Sequence, residues 1–214
     1  MNERGINPIP QQRVLDRMDE YMSRRDYAGA ERHLLFWLAE AKQGGDLRGE
    51  LLVRNELVGH YRKTGERDKA FESADAALAL LDRLDFGETI SAGTTYVNVA
   101  TAIGAFGEHE RALSLFEKAR ALYEGSAHTR PQLLGGLYNN MALTCAALGR
   151  WDDALSLYDL AIQQPTVPES LKEHYRALGN TASACVGCQS CESRCPFEVT
   201  IAERMQKAAA LFGC

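Results

Sequence analysis

The sequence lacks the features that mark several large functional classes. No stretch approaches eighteen consecutive apolar residues, so we expect no membrane-spanning segment. The 24 Lys and Arg residues are outnumbered by 29 Asp and Glu residues, which gives a net charge of -5. Because there is no basic excess to neutralise phosphates, we expect no nucleic-acid partner. The six prolines in 214 residues leave room for long uninterrupted helices.

Catalytic motifs are also missing. The five histidines are scattered, with no pair at i and i+4, and no GxGxxG, P-loop or GxSxG sequence is present. Nucleotide-binding and hydrolase functions therefore have no support. The start, MNERGINPIPQQ, carries no apolar leader segment, so with six cysteines we expect a reducing, cytoplasmic location.

Four cysteines fall within eleven residues near the C-terminus. Cys185, Cys188, Cys191 and Cys195 are followed directly by Pro196, which matches the C-x2-C-x2-C-x3-C-P run of bacterial iron-sulfur ligation. Such short gaps let one loop curl around a compact inorganic core. The run predicts a metal centre made by these four residues, with a 4Fe-4S cluster as the cofactor.

Alternatives to this centre stay open at the level of sequence. A structural zinc ordinarily uses two cysteine pairs separated by a longer arm, which this run lacks, and unligated thiols are a third option. The fourth cluster ligand is Cys195, Cys214 or a residue of a partner chain. Cys145 lies on an apolar helical face elsewhere in the chain, where a free cysteine is usually a small buried hydrophobe.

An internal repeat organises most of the remaining sequence. Three segments open with glycine, pass through charged residues, and reach an alanine five positions later. A weaker copy around Ala30 precedes them. The glycines and alanines recur every 42 residues: Gly65, Gly107 and Gly149; Ala70, Ala112 and Ala154.

Apolar residues on both sides of these glycines recur at spacings of three and four, which indicates helices before and after each bend. The sequence therefore predicts an all-α fold, an α-solenoid of stacked helical hairpins with a small cysteine-rich segment at its end. We predict a flexible tail over 1–10, four hairpins over 11–165, and a capping helix with the metal-binding tail over 166–214. Aromatic residues at helical spacing, such as Trp37 and Trp151, are predicted to pack in the core.

The repeat resembles the tetratricopeptide repeat, whose pattern of small, aromatic and proline residues the last copy follows. The matching residues are Ala142, Cys145, Ala154, Tyr158, Ala161 and Pro165. A period of 42 exceeds the usual 34, as in the kinesin light chain-like branch of the family. This resemblance implies a scaffold that binds a peptide or partner protein on the concave surface lined by the first helix of each hairpin.

Candidate binding residues on that surface come from the same register. Asn98 and Asn140 are 42 residues apart, and an asparagine both donates and accepts hydrogen bonds, as an extended peptide backbone requires. The alternative is that these amides are simply solvated or make contacts between helices. The full candidate set adds two neighbouring asparagines and two cations: Asn139, Asn55, Arg62 and Lys63.

The tail ASACVGCQSCESRCPFEVTIAERMQKAAALFG resembles the C-terminal iron-sulfur extension of bacterial aldo/keto reductases. Their catalytic barrel needs some 250 residues of alternating strands and helices, whereas the residues before this tail predict helical hairpins. Reductase activity is therefore not expected of this chain. The second function that the tail implies is electron transfer, with the repeats docking the cluster to a redox enzyme.

Overall fold

The computed structural model describes residues 6–87, 89–196 and 199–213, and within them all regular structure is helical. The prediction of an all-α fold is confirmed for these residues. The helices are α1 (Gln11–Ser23), α2 (Tyr27–Gly44), α3 (Leu47–Thr64), α4 (Arg67–Arg83), α5 (Ile90–Ala105), α6 (His109–Glu124), α7 (Pro131–Ala147), α8 (Trp151–Ile162), α9 (Glu169–Arg176) and α10 (Ile201–Phe212). Two short 3-10 helices are also present: Ala182–Ala184 directly precedes the cysteine run, and Glu192–Arg194 lies within it, between Cys191 and Cys195.

Helices α1 to α8 form four antiparallel pairs because tight bends join the members of each pair. Gly65, Gly107 and Gly149 sit at three of these bends with φ of +78°, +91° and +74°. A left-handed residue ends a helix and reverses the chain, and glycine adopts this conformation without a steric penalty. In the first pair Arg25 takes the same role with φ of +57°.

The repeat alanines lie where the two helices of each pair cross. Ala30, Ala70, Ala112 and Ala154 are at most 2% exposed. At the α5–α6 crossing, a Cβ added to Gly104 would lie only 3.3 Å from the Cβ of Ala112. The small residues thus let the two helices approach closely.

Trp151 does not follow the prediction that repeat aromatics pack in the core, since it is 65% exposed. The helix that follows the last pair, α9, has eight residues and packs against the first half of α7, where Pro168 lies close to Gly135. Because α7 and α8 are antiparallel, the start of α8 lies beside the end of α7. Helix α9 therefore leaves Trp151 uncovered.

The described part of the segment predicted as a flexible tail makes specific contacts. The amide of Asn7 donates to the carbonyl of Gly44 at 3.0 Å, and the amide of Ile9 donates to Asp46 Oδ2 at 2.9 Å. Asp46 also accepts a hydrogen bond from the amide of Gly49, so one carboxylate caps α3 and anchors the segment. Ile9 is itself buried.

The residues after α8 are held together by contacts among α9, the cysteine region and α10. The rings of Tyr175 and Phe212 stack at 4.1 Å. The Tyr175 hydroxyl accepts a hydrogen bond from the amide of Ala182, and Glu192 accepts one from the amide of Ala202 in α10. These hydrogen bonds tie α9 and α10 to the chain just before Cys185 and to the residue after Cys191. None of the helices in the described residues is long and apolar enough to cross a bilayer.

Candidate functional site

The first helices of the pairs share a face that carries two neighbouring cavities, which together we call the groove. The N-terminal cavity, of about 460 Å³, lies between α1, α3 and α5. The C-terminal cavity, of about 230 Å³, lies between α3, α5 and α7. The N-terminal cavity is lined by Leu15, Asn55, Glu56, Thr94, Thr95 and Asn98, among others. The C-terminal cavity is lined by Arg62, Thr101, Gly104, His109, Asn140 and Thr144, among others.

Asn98 and Asn140 occupy equivalent positions in the groove. Each stands nine residues before the glycine that ends its hairpin bend, and each is partly buried. The Asn140 amide nitrogen lies 3.4 Å from Thr101 Oγ1, a long hydrogen bond. The Asn98 side chain makes no hydrogen bond with the residues that the structure describes. Its amide is therefore free to donate to and accept from a ligand.

Asn55 and Asn139 make hydrogen bonds within the fold, although Asn55 also lines the N-terminal cavity. The Asn55 amide donates to Leu51 O at 3.1 Å and to Thr95 Oγ1 at 3.0 Å, which ties α3 to α5. Asn139 is only 1% exposed and donates to Ser170 Oγ at 3.2 Å. Its predicted place on the groove is wrong, because one residue along a helix turns the side chain by about 100°.

The two candidate cations, Arg62 and Lys63, lie in different surroundings. Arg62 lines the C-terminal cavity. The ammonium of Lys63 lies 5.8 Å from the centre of the Tyr27 ring, at the start of α2, so it does not point into either cavity. Only Arg62 of this pair remains in the candidate site.

Sequence reasoning missed Glu56, which stands nine residues before Gly65 and so holds the position of Asn98 and Asn140 on α3. It lines the N-terminal cavity and is partly buried. Burial, together with the negative charge of Asp19 on α1, raises the pKa of the Glu56 carboxyl. Glu56 stands 42 residues before Asn98, so the repeat register alone places it on the same helix face.

Within the cysteine run, the chain turns sharply between the two 3-10 helices. Gly187 and Gln189 both have positive φ, at +68° and +58°. The side chains of Cys185 and Cys188 are exposed, and those of Cys191 and Cys195 are partly buried. Hydrogen bonds from the hydroxyl and the backbone of Ser190 lower the pKa of the Cys188 thiol, which favours the thiolate that ligates metals.

Four free thiols in one short loop are a donor set that suits a multi-iron cluster. A tetrahedral zinc with bonds of about 2.3 Å holds its sulfurs about 3.8 Å apart. In the described part of the chain, no three of these four sulfurs come within 4.8 Å of one another. A larger inorganic core takes its thiolates from further apart, and it benefits from nearby backbone N–H groups directed at sulfur.

Cys145 and Cys214 lie outside the cysteine run. Cys145 is 2% exposed within the main core, and burial raises the pKa of its thiol. It is therefore a packing residue, as the sequence predicts. Cys214, the other candidate for the fourth cluster ligand, lies outside the described residues.

A separate group of potential ligands lies between α2, α3 and α4. Atoms of Glu31, His60 and Glu66 come within 4.8 Å of one another. The ammonium of Lys69 lies 2.8 Å from Glu31 and 2.5 Å from Glu66, so an internal cation already neutralises both carboxylates. This cluster acts as a link between helices.

Comparison with known proteins agrees with the hairpin architecture. Residues 49–125 match the tetratricopeptide repeat family. The matched range begins within α3 and ends just after α6, so it covers the second and third helix pairs. It includes Glu56 and Asn98 but ends before Asn140. No curated protein sequence matches the chain.

One solved structure shows a similar fold at low identity, and a second aligns less well. The crystal structure of BtubC (BKLC) from P. vanneervenii aligns with a TM-score of 0.62 and 16% identity over 77% of this chain. The chain spans only 63% of the length of that protein. The crystal structure of the MamA protein aligns with a TM-score of 0.42 and 16% identity, over 83% of this chain and 98% of the other.

Proposed function

We propose that the chain is a scaffold that binds an extended segment of a partner protein in the groove and carries a 4Fe-4S cluster in its tail. The Asn98 side chain supports peptide binding in the groove most directly. Its amide lies in a cavity, lacks a hydrogen bond within the described structure, and repeats at Asn140. An amide donates to a peptide carbonyl and accepts from a peptide N–H, so it holds a backbone with little demand on the ligand's side chains.

Replacing both amides tests the groove. The Asn98→Ala, Asn140→Ala double variant should lose binding of nine-residue peptides selected on the unchanged protein from a random displayed library. Loss of two hydrogen bonds of about 1 kcal/mol each predicts an affinity roughly 30-fold weaker. Far-ultraviolet circular dichroism should show unchanged helical content.

Asn180→Ala is the matched control, because Asn180 is exposed and lies outside the groove. It should bind the selected peptides like the unchanged protein. Equal binding by the double variant and the unchanged protein would show that the two amides do not contribute to peptide binding.

For the tail, we propose that Cys185, Cys188, Cys191 and Cys195 hold the cluster. The exposed or partly exposed thiols, the tight turn at Gly187 and the lowered pKa of the Cys188 thiol support this assignment. When bound, such a cluster supplies one-electron redox chemistry at potentials between about -700 and +450 mV. The protein residues supply the thiolates and the hydrogen bonds to sulfur that tune this potential.

Metal and sulfide analysis after anaerobic reconstitution tests the assignment. We expect about four irons and four sulfides per chain, the content of the cluster that this motif carries. Serine in place of Cys185, Cys188 or Cys191 should abolish incorporation, whereas Cys145→Ser should leave it unchanged. A colourless protein with one bound zinc would contradict the cluster.

Electron transfer is the second candidate function, and the exposure of Cys185 and Cys188 favours it. Thiolates at the surface would hold the cluster where a docked redox enzyme could exchange electrons with it. A reversible one-electron reduction at a physiological potential would favour this function. Absence of reduction in that range would favour the scaffold alone.

A further inference from the structure

Glu56 places a carboxylate where the other groove-lining repeats carry an amide. On α5 and α7 the residue nine positions before the bend glycine is Asn98 or Asn140, and on α3 it is Glu56. All three side chains line the groove. The position that would contact a peptide backbone is therefore negatively charged in one repeat and neutral in the next two.

No cation within the described structure neutralises Glu56. It forms no ion pair or hydrogen bond with the described residues, and the charge that faces it from α1, Asp19, is also negative. Arg48 lines the same cavity, but its guanidinium lies over the Phe86 ring at 5.0 Å from the ring centre.

Helix α5 adds only neutral side chains to this cavity: Ser91, Thr94, Thr95 and Asn98. Glu56 is thus a partly buried carboxylate with a like charge beside it and polar, uncharged groups opposite. Burying a charge without a partner costs free energy, because the charge loses hydration and gains nothing in return. A cation supplied by a ligand would remove this cost.

We propose that the segment bound in the groove carries a lysine or arginine whose cation pairs with Glu56, while Asn98 holds the backbone beside it. This inference rests on the proposed peptide-binding function and specifies its ligand. The N-terminal cavity, at about 460 Å³, has room for a long basic side chain. Arg62, in the C-terminal cavity, makes an acidic segment the rival ligand.

The full-length protein and a displayed library of random nine-residue peptides test the inference. Selection on the unchanged protein should enrich lysine or arginine at one position. A selected peptide should bind the Glu56→Gln variant about tenfold or more weakly, as expected for loss of a charge-assisted hydrogen bond. The same peptide with glutamine in place of its basic residue should bind both proteins equally.

Two further variants serve as controls. Glu56→Asp keeps the charge and should retain part of the affinity. Glu117→Gln removes an exposed carboxylate from α6, outside the groove, and should have no effect. The thermal unfolding midpoint of Glu56→Gln should equal or exceed that of the unchanged protein, so that unfolding does not explain weaker binding.

The outcomes separate this inference from the broader proposal. Selected peptides without basic enrichment, acidic peptides, or peptides bound equally by Glu56→Gln would overturn the role of Glu56 and leave the groove as a peptide site. Failure of the unchanged protein to select any peptide would overturn both.

Discussion

Replacing Ala112 with leucine tests whether the hairpin crossings depend on small residues. Ala112 is fully buried, and its Cβ lies only 3.3 Å from the point where a Cβ on Gly104 would stand across the α5–α6 interface. The larger side chain must push the helices apart or leave its preferred rotamer. Overpacking of this kind costs about 1–3 kcal/mol, which for a protein of this size lowers the unfolding midpoint by about 2–12 °C.

The measurement is urea unfolding followed by circular dichroism, with thermal melts of the same variants. Ala121→Leu is the matched control, because it makes the same change at an exposed position of the same helix and should alter the free energy of unfolding by less than about 0.5 kcal/mol. If Ala112→Leu were as stable as this control, the crossing would not be close-packed. The structural role of the repeat alanines would then be refuted.

Three other changes give separate tests. Gly93→Ala should lower stability because the new Cβ would overlap the ring of a buried tyrosine of α6. Gly59→Ala, with open space around the new Cβ, should raise stability by about 0.5–1 kcal/mol. Urea unfolding compares the two variants. After anaerobic reconstitution, iron analysis should show that Cys195→Ser loses more cluster than Cys214→Ser, because a terminal residue is poorly held; the reverse order would make Cys214 the fourth ligand. The Glu56→Gln variant should melt above the unchanged protein at about pH 7, and the difference should vanish toward about pH 4. Because the pKa of Glu56 is raised in the folded state, its proton favours folding. The unchanged protein therefore loses this stability as the pH rises through that pKa. A difference in melting temperature that grew on acidification would contradict this reasoning.

The positions of the helical hairpins depend on residues that lie close together in the chain, so the sequence alone predicts them. A glycine with positive φ follows the first helix in three of the four hairpins, and a small residue five positions later marks the crossing. These requirements act within a few residues of chain. They are therefore visible as the 42-residue recurrence that predicts the hairpins, and Ala112 and Gly107 behave as that recurrence implies.

The site was less accessible to sequence reasoning, because adjacent residues on a helix face different neighbours. Asn139 and Asn140 differ by one position, yet the first donates to Ser170 of α9 and the second lines the groove. Arg62 and Lys63 diverge in the same way. A pattern of residue types narrows the face to a few candidates, but only the packed helices show which of them a ligand could reach.

The amino-acid sequence by itself determined that the chain forms helical hairpins and that four cysteines share one short loop, since both depend on residues close together along the chain. Only the tertiary structure decided which side chains remain available to a ligand or to solvent. Asn55 donates to Thr95 across a helix interface, Trp151 is exposed because α9 is short, and Glu56 has no cation paired with it among the described residues. Such properties arise from neighbours that are distant in sequence, and helix stacking alone brings them together.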